Sequence, residues 1–174
     1  MSGDHPSTTW RDWSCSVRVT VTQADRLEQA AEIVRSVMAD VERAVSRFHP
    51  SDLDRVHARS GLLVPVSPLA FDLVALAVAA RDETDGDVDP ALGSDLVGLG
   101  YDADIAKVRE RRTATRLVGP NGAPPRPSRR VVLDPALRRV GVAPGATLDL
   151  GATAKAWAAD TAAARIHRTL GTAA

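Results

Sequence analysis

The chain has 174 residues, of which 44% are hydrophobic and 25% charged, a composition typical of one globular domain. Lys+Arg and Asp+Glu both number 22, and aromatic residues make up only 3%, so a nucleic-acid partner is not expected. The single Cys15 excludes an intrachain disulfide. The polar N-terminus lacks a secretory signal, and no stretch approaches the roughly 18 apolar residues of a membrane span. We therefore expect a cytoplasmic protein.

The first predicted elements follow from hydrophobic periodicity. Valines alternate with polar residues over 14–22 and predict a strand, and apolar residues at helical spacing predict a long helix over about 24–47. Ser51 is typical of the N-cap of a short helix. The apolar run 62–66 predicts a short strand, and a Ser-Pro pair opens a helix expected over about 67–84.

The second half of the chain predicts a hairpin and a final helix. Residues 118–130 are rich in Pro, Gly and Arg and predict an exposed loop. Residues 131–133 and 140–142 predict the hairpin, and 147–150 a short strand before a helix over about 153–170. This order predicts an α+β fold, a mixed sheet packed with helices. No strand follows the last helix, so we expect an open sheet edge that favours a partner chain or self-association.

The acidic run TDGDVDP places aspartates at alternate positions, Asp85, Asp87 and Asp89. An EF-hand calcium loop begins in the same way, but here Pro90 replaces the required Gly, and Leu96 replaces the bidentate Glu. The pattern therefore excludes an EF-hand. A solvated acidic turn after a helix explains Asp85-Gly86, although it does not explain the stiff Asp89-Pro90 pair.

The run LDLGATAKAW resembles a strand that leads into a phosphate-binding helix start. Gly151 permits close approach of a ligand, and backbone N–H groups at a helix start can hold phosphate oxygens, with Lys155 nearby. The run lacks both GxGxxG and the P-loop pattern, so an ordinary strand-to-helix turn explains the spacing at least as well. The four histidines show no metal-binding spacing, and no GxSxG is present.

Taken in order, four segments resemble the ApbE family of FAD:protein FMN transferases. They are Ser46–Leu53 (SRFHPSDL), Thr84–Pro90 (TDGDVDP), Gly100–Asp102 (GYD) and Asp149–Asp160 (DLGATAKAWAAD). The last segment, at its correct distance after the acidic run, is the most specific, and the resemblance covers about residues 13–170. It implies an ApbE-like, T-fold-related domain over residues 13–174, incomplete at its carboxyl end, after a disordered tail over residues 1–12.

The resemblance implies Mg²⁺-dependent transfer of FMN from FAD to a Thr or Ser hydroxyl of an acceptor protein. In such a site Phe48 contacts the flavin or adenine part of FAD, and the backbone carbonyl of Ala152 binds Mg²⁺. The other residues that the resemblance places at the FAD site are Asp87, Val88, Asp89, Asp149 and Lys155. The catalytic residue stays unassigned.

Several positions depart from the family pattern. Ser14-Cys15 replaces Gly-Thr, His57 replaces Asn, and Asp87 replaces Ala. The family's second half, with its Gly-Gly-Asp segment, its acceptor-side His and its Asp and Thr ligands to Mg²⁺, has no counterpart in the 174 residues. An alternative hypothesis is therefore a truncated, non-catalytic flavin-binding or interaction module that needs a partner chain. A third is an unrelated α+β scaffold with chance matches.

Overall fold

The computed structural model describes residues 5–103, 105–110 and 131–174. Its strands are β1 Ser7–Asp12, β2 Cys15–Thr20, β3 Val64–Pro65, β4 Val131–Asp134 and β5 Arg139–Val142. Its helices are α1 Leu27–Val45, α2 Asp52–Ala58, α3 Pro68–Glu83, α4 Gly93–Gly98, α5 Ile105–Glu110 and α6 Ala154–Leu170. This mixture of helices and small sheets confirms the predicted α+β class, whereas the loop predicted over 118–130 lies outside the described residues.

Most predicted elements are present near their expected bounds. The long helix is α1, the helix after the Ser-Pro pair is α3, and the final helix is α6. The predicted hairpin is β4–β5, whose register runs from Val131 opposite Val142 to Asp134 opposite Arg139. Among the described residues, no helix is long and apolar enough to cross a membrane.

Strand β1 lies where the sequence predicted a disordered tail over residues 1–12. It pairs antiparallel with β2, from Ser7 opposite Thr20 to Asp12 opposite Cys15. Trp13 and Ser14 join the two strands with φ values of 46° and 58°, the left-handed backbone that a tight hairpin turn requires. Polar residues dominate β1, so its sequence does not show the alternation of apolar and polar residues that predicts a strand. Pairing with β2 in the hairpin orders this segment.

Residues 147–150 do not form a strand, in contrast to the prediction. Their backbone partners do not belong to a sheet: the N–H of Gly93, the first residue of α4, donates to the carbonyl of Thr147 at 2.9 Å, and the N–H of Asp149 donates to the carbonyl of Pro90 at 2.8 Å. The apolar alternation is nevertheless real, because Leu148 and Leu150 are buried. Helices α4 and α5 were not predicted, since each has six residues and is too short to show clear periodicity.

The chain divides into two compact units, residues 1–41 with 155–174, and residues 42–154. The core of the first unit consists of Val19, Val21, Ala30 and Ile166, with Trp10 packed against it. The second unit contains a three-stranded antiparallel sheet of order β3-β5-β4 together with α2 to α5. Its largest fully buried side chains include Leu53, Val56, Val64, Leu73, Val140 and Leu148.

The turn between α1 and α2 is held by serine hydroxyls. Ser46 accepts the N–H groups of Phe48 and His49 at 3.1 and 3.0 Å. Ser51 donates to the carbonyl of Ser46 at 2.6 Å, and its own N–H donates to Asp54 at 3.0 Å in a capping box. These bonds fix the backbone on both sides of the Arg47-Phe48 pair and so position it in the second unit.

Candidate active site

Arg47 lies at the centre of a compact cluster in the second unit. Its Nη2 donates to the carbonyl of Tyr101 at 2.9 Å, and its Nε lies 2.8 Å from Oδ2 of Asp149. Its Cζ lies 4.6 Å from the ring centroid of Phe48 and 4.7 Å from that of Tyr101. The two rings meet edge to face with centroids 5.3 Å apart. The cluster therefore joins three of the four segments that carry the resemblance.

The ion pair between Arg47 and Asp149 is largely removed from water. The Arg47 side chain is 9% exposed and that of Asp149 is 16% exposed. Although the atoms are close, the Arg47 Nε–H has no aligned hydrogen-bond acceptor, so this contact is an ion pair without an Nε hydrogen bond. At 2.8 Å the two groups still attract strongly, because the attraction between opposite charges at low dielectric does not depend on the N–H angle.

Asp149 and Asp89 make the same local turn. Asp149 Oδ1 accepts the N–H of Gly151 at 2.8 Å, and Asp89 Oδ1 accepts the N–H of Ala91 at 2.8 Å. Each carboxylate thus orders the backbone two residues further on, as an Asx turn does. The N–H of Asp149 donates to the carbonyl of Pro90 at 2.8 Å, so the acidic run and the helix-start run are hydrogen-bonded together.

Gly93 permits the close approach of these two runs. A Cβ at this position would lie 2.7 Å from the carbonyl oxygen of Thr147, a distance that side chains do not tolerate. The Ser94 hydroxyl adds a bond of 2.8 Å to the carbonyl of Gly145 and contacts the Thr147 hydroxyl at 2.9 Å. The segment that follows Pro90 is therefore held directly against the segment that precedes Asp149.

His57, which stands where the family pattern has Asn, supports the same segment. Its Nε2 accepts the N–H of Leu148 at 2.9 Å, so the proton of the neutral ring lies on Nδ1. Burial lowers the pKa of His57 below its ordinary value of 6.5; Arg47 acts in the same direction, and Asp54 opposes it. The neutral ring therefore serves as the hydrogen-bond acceptor for the backbone of Leu148.

The neutral state of His57 predicts a pH-dependent stability. Because its pKa is lower in the folded chain, the stabilisation is complete above pH 6.5 and is lost as the pH falls below that value towards the folded pKa. We expect His57→Gln, whose amide oxygen can accept the same bond without titrating, to reduce this loss. Urea unfolding of both proteins between about pH 8 and pH 5 measures it. Identical pH profiles would contradict the assignment.

The other residues predicted for the acidic run lie on a turn after α3. The N–H of Val88 donates to the Thr84 hydroxyl at 3.1 Å, and the N–H of Asp87 donates to the Thr84 carbonyl at 3.0 Å. Asp85 and Gly86 have φ values of 50° and 91°, so the chain reverses there. Asp87 is exposed, whereas Val88 is partly buried. The extra charge of Asp87 therefore faces solvent.

Lys155 and Ala152 lie at the start of α6. Ala152 is exposed and belongs to the second unit. Lys155 is exposed, belongs to the first unit, and lines a groove there of about 460 Å³ between β2 and α6, together with Val19, Met38 and Ile166. The structure thus brings Phe48, Asp89 and Asp149 into one connected region, and places Lys155 in a groove of the other unit.

The predicted magnesium site is not supported by the donor groups of the described ranges. Within residues 5–103, 105–110 and 131–174, no group of three or more His, Cys, Asp or Glu side chains could hold a metal ion. Mg²⁺ requires nearly octahedral oxygen coordination, and the carbonyl of Ala152 supplies one ligand at most. These residues do not by themselves fit Mg²⁺.

The sequence predicted no role for Arg47 or Tyr101, although both lie inside segments that resemble the ApbE family. The only hint in the sequence is the scarcity of these rings, since the chain has one Tyr and two Phe. Two of these three rings contact the guanidinium of Arg47. An Arg directly before an aromatic residue is common on surfaces, so the pair indicates no site by itself. Only the fold, which brings residue 101 back to residue 47, reveals the cluster.

A family model described as the ApbE family matches residues 13–174. The fold resembles the ApbE protein of Thermotoga maritima (TM-score 0.73, 21% identity) and the apo form of Pseudomonas stutzeri flavinyl transferase ApbE (0.70, 20%). It also resembles a mutant of the flavin transferase ApbE of Vibrio cholerae (0.71, 17%). No curated protein has a significantly similar sequence.

These structural matches cover 95%, 97% and 98% of this chain, but 53%, 56% and 58% of the three matched chains. The chain therefore spans about half the length of the solved structures that it resembles. Because the family model matches far more than half of the chain, and three of the four segments that carry the resemblance meet around Arg47, this protein belongs to the ApbE family.

Proposed function

We propose that this chain is the flavin-nucleotide-binding half of a FAD:protein FMN transferase. The observation that carries the proposal is the Arg47 cluster, which connects Phe48, Tyr101 and Asp149 within one unit. Structural relatives are named flavin or flavinyl transferases, which favours the same reaction class. In that reaction FMN passes from FAD to a Thr or Ser hydroxyl of an acceptor protein, and AMP is released.

In the proposed site, aromatic and acidic groups bind different parts of FAD. The partly exposed ring of Phe48 offers an apolar surface to the flavin or adenine ring. Asp89 and Asp149 each hold a turn in the same unit as Phe48, and together with Asp87 and Val88 they would line the rest of the FAD site. Lys155, exposed in the first turn of α6 and placed at the FAD site by the resemblance alone, would offer a cation to the diphosphate.

Mg²⁺, where it is bound, would supply charge neutralisation to a diphosphate. Ala152 would contribute its carbonyl, and the remaining ligands would come from the half of the family fold that this chain does not span. We therefore expect Mg²⁺ to change FAD affinity little when this chain is titrated alone. A partner chain that supplies the missing half would restore both the metal dependence and the transfer.

A second candidate is a non-catalytic flavin-binding or interaction module. The chain spans little over half of each matched structure, so binding and transfer are tested separately. Such a module would bind FAD without transferring FMN. The two candidates therefore differ in whether an acceptor protein becomes flavinylated when the missing half is supplied.

Calorimetric titration with FAD tests the proposal on the 174-residue chain. We expect saturable binding with a Kd in roughly the micromolar range, weakened at least about tenfold by Phe48→Ala. Phe71→Ala on α3 is the matched aromatic control and is expected to retain the affinity of the unmodified chain. Absence of any FAD binding with or without Mg²⁺ would overturn the proposal for this chain.

A further inference from the structure

We infer that Arg47 is a positioning residue that fixes Tyr101 and Asp149 for flavin-nucleotide binding. This inference rests on the proposed function and adds a residue to which the resemblance gives no role. Arg47 contacts the carbonyl of Tyr101, the carboxylate of Asp149 and the rings of Phe48 and Tyr101. These partners come from sequence positions that are 1, 54 and 102 residues away from Arg47.

The contacts use different parts of one planar group. Nη2 bonds along the guanidinium plane to Tyr101, Nε approaches Asp149, and the Cζ atom lies within cation–π distance of both rings. A guanidinium can satisfy these directions together because its donors are fixed in one plane and its faces remain free to stack. The ammonium group of Lys concentrates the same charge at one nitrogen, so it cannot make the in-plane and the stacking contacts together.

Burial makes the arrangement rigid. The Arg47 side chain is 9% exposed, so solvent has little access to compete for its contacts. The backbone on either side is held by the hydroxyls of Ser46 and Ser51, which limits where the guanidinium can go. The neighbours of Arg47 are therefore confined to one geometry before any ligand binds.

This geometry determines what Asp149 and Tyr101 can offer a ligand. With Oδ2 held by Arg47 and Oδ1 by the N–H of Gly151, the carboxylate of Asp149 has a fixed orientation at the start of α6. Tyr101 is held by its carbonyl and its ring. A preorganised site binds its ligand more tightly, because less conformational freedom is lost on binding.

The single tyrosine of the chain provides a direct probe. Incorporation of 3-fluorotyrosine labels Tyr101 alone. We expect one narrow ¹⁹F resonance that differs from free fluorotyrosine and shifts on addition of FAD. In Arg47→Lys the resonance should move towards the free value and broaden. Arg139→Lys, which alters the ion pair with Asp134 in the β4–β5 hairpin, is the matched control and should leave the resonance unchanged.

FAD affinity is measured on the same proteins by calorimetry. We expect Arg47→Lys to weaken binding by about tenfold, and Arg139→Lys to stay within about twofold of the unmodified chain. Circular dichroism and thermal unfolding establish that each variant is folded at the temperature of measurement. If Arg47→Lys does not fold, FAD affinity and the ¹⁹F resonance are measured on Arg47→Gln, which keeps a planar donor. The same outcomes then support or overturn the inference.

The outcomes separate the two proposals. If the unmodified chain binds no FAD, the proposed function fails, and the inference fails with it. If the chain binds FAD but Arg47→Lys retains both its affinity and its ¹⁹F resonance, only the inference is overturned. Reduced thermal stability with unchanged affinity would likewise overturn it, because a purely structural role has that effect.

Discussion

Asp149→Asn is expected to lower the free energy of unfolding by about 3 kcal/mol. The substitution keeps the shape of the side chain and an acceptor for the N–H of Gly151, but it leaves the guanidinium of Arg47 without its anionic partner. Arg47 is 9% exposed, so water cannot solvate the uncompensated charge fully. Removal of one partner from a well-buried ion pair is much more costly than loss of a surface pair.

Urea unfolding of the variant and the unmodified chain measures this loss. Asp82→Asn is the matched control, since Asp82 pairs with Arg81 at the surface of the same unit and is 64% exposed. We expect it to change the free energy of unfolding by no more than about 0.5 kcal/mol. Equal, small effects of the two substitutions would show that the Arg47–Asp149 pair contributes little and would contradict our description of the cluster.

Leu148→Ala is expected to lower the free energy of unfolding by about 2–5 kcal/mol. Leu148 is 0% exposed and lies directly before Asp149, on the segment held by His57 and Pro90. Truncation removes buried methyl groups and leaves a cavity that the hydrogen-bonded backbone on both sides cannot close. The loss should therefore lie in the upper part of the range for large-to-small substitutions.

Leu62→Ala is the control for this measurement. Leu62 belongs to the same unit but is 62% exposed, so its truncation is expected to change the free energy of unfolding by at most about 0.5 kcal/mol. Chemical denaturation monitored by circular dichroism gives both values. A loss below about 1 kcal/mol for Leu148→Ala would mean that residues 147–150 do not pack as the structure has them.

Elements with long apolar periodicity could be predicted from the sequence, and those held by local polar bonds could not. Helix α1 shows its apolar face over nineteen residues, and Ser67-Pro68 marks the start of α3. By contrast, β1 is polar and is ordered by pairing with β2. Residues 147–150 were predicted as a strand because their apolar residues alternate, yet their backbone partners are the N–H of Gly93, the carbonyl of Pro90 and the ring of His57.

The candidate site was predictable only as separate segments. The resemblance predicted Phe48, Asp89 and Asp149 as residues of the FAD site. The structure connects the regions around them through Arg47 and the carbonyl of Pro90. These contacts join residues that are distant in sequence, so no local pattern indicates them. The roles of Phe48, Asp87, Val88, Asp89, Asp149, Lys155 and Ala152 in binding FAD or Mg²⁺ stay predictions, as do the acceptor protein and the cytoplasmic location.

Amide chemical shifts of the ¹⁵N-labelled chain during titration with FAD test most directly whether these segments form one flavin-nucleotide site. We expect the largest saturable shifts at Phe48, Ala91, Tyr101 and Gly151, the residues that surround the Arg47–Asp149 pair and its adjoining turns. Shifts that are absent, or that are confined to the β2–α6 groove of the first unit, would contradict this site.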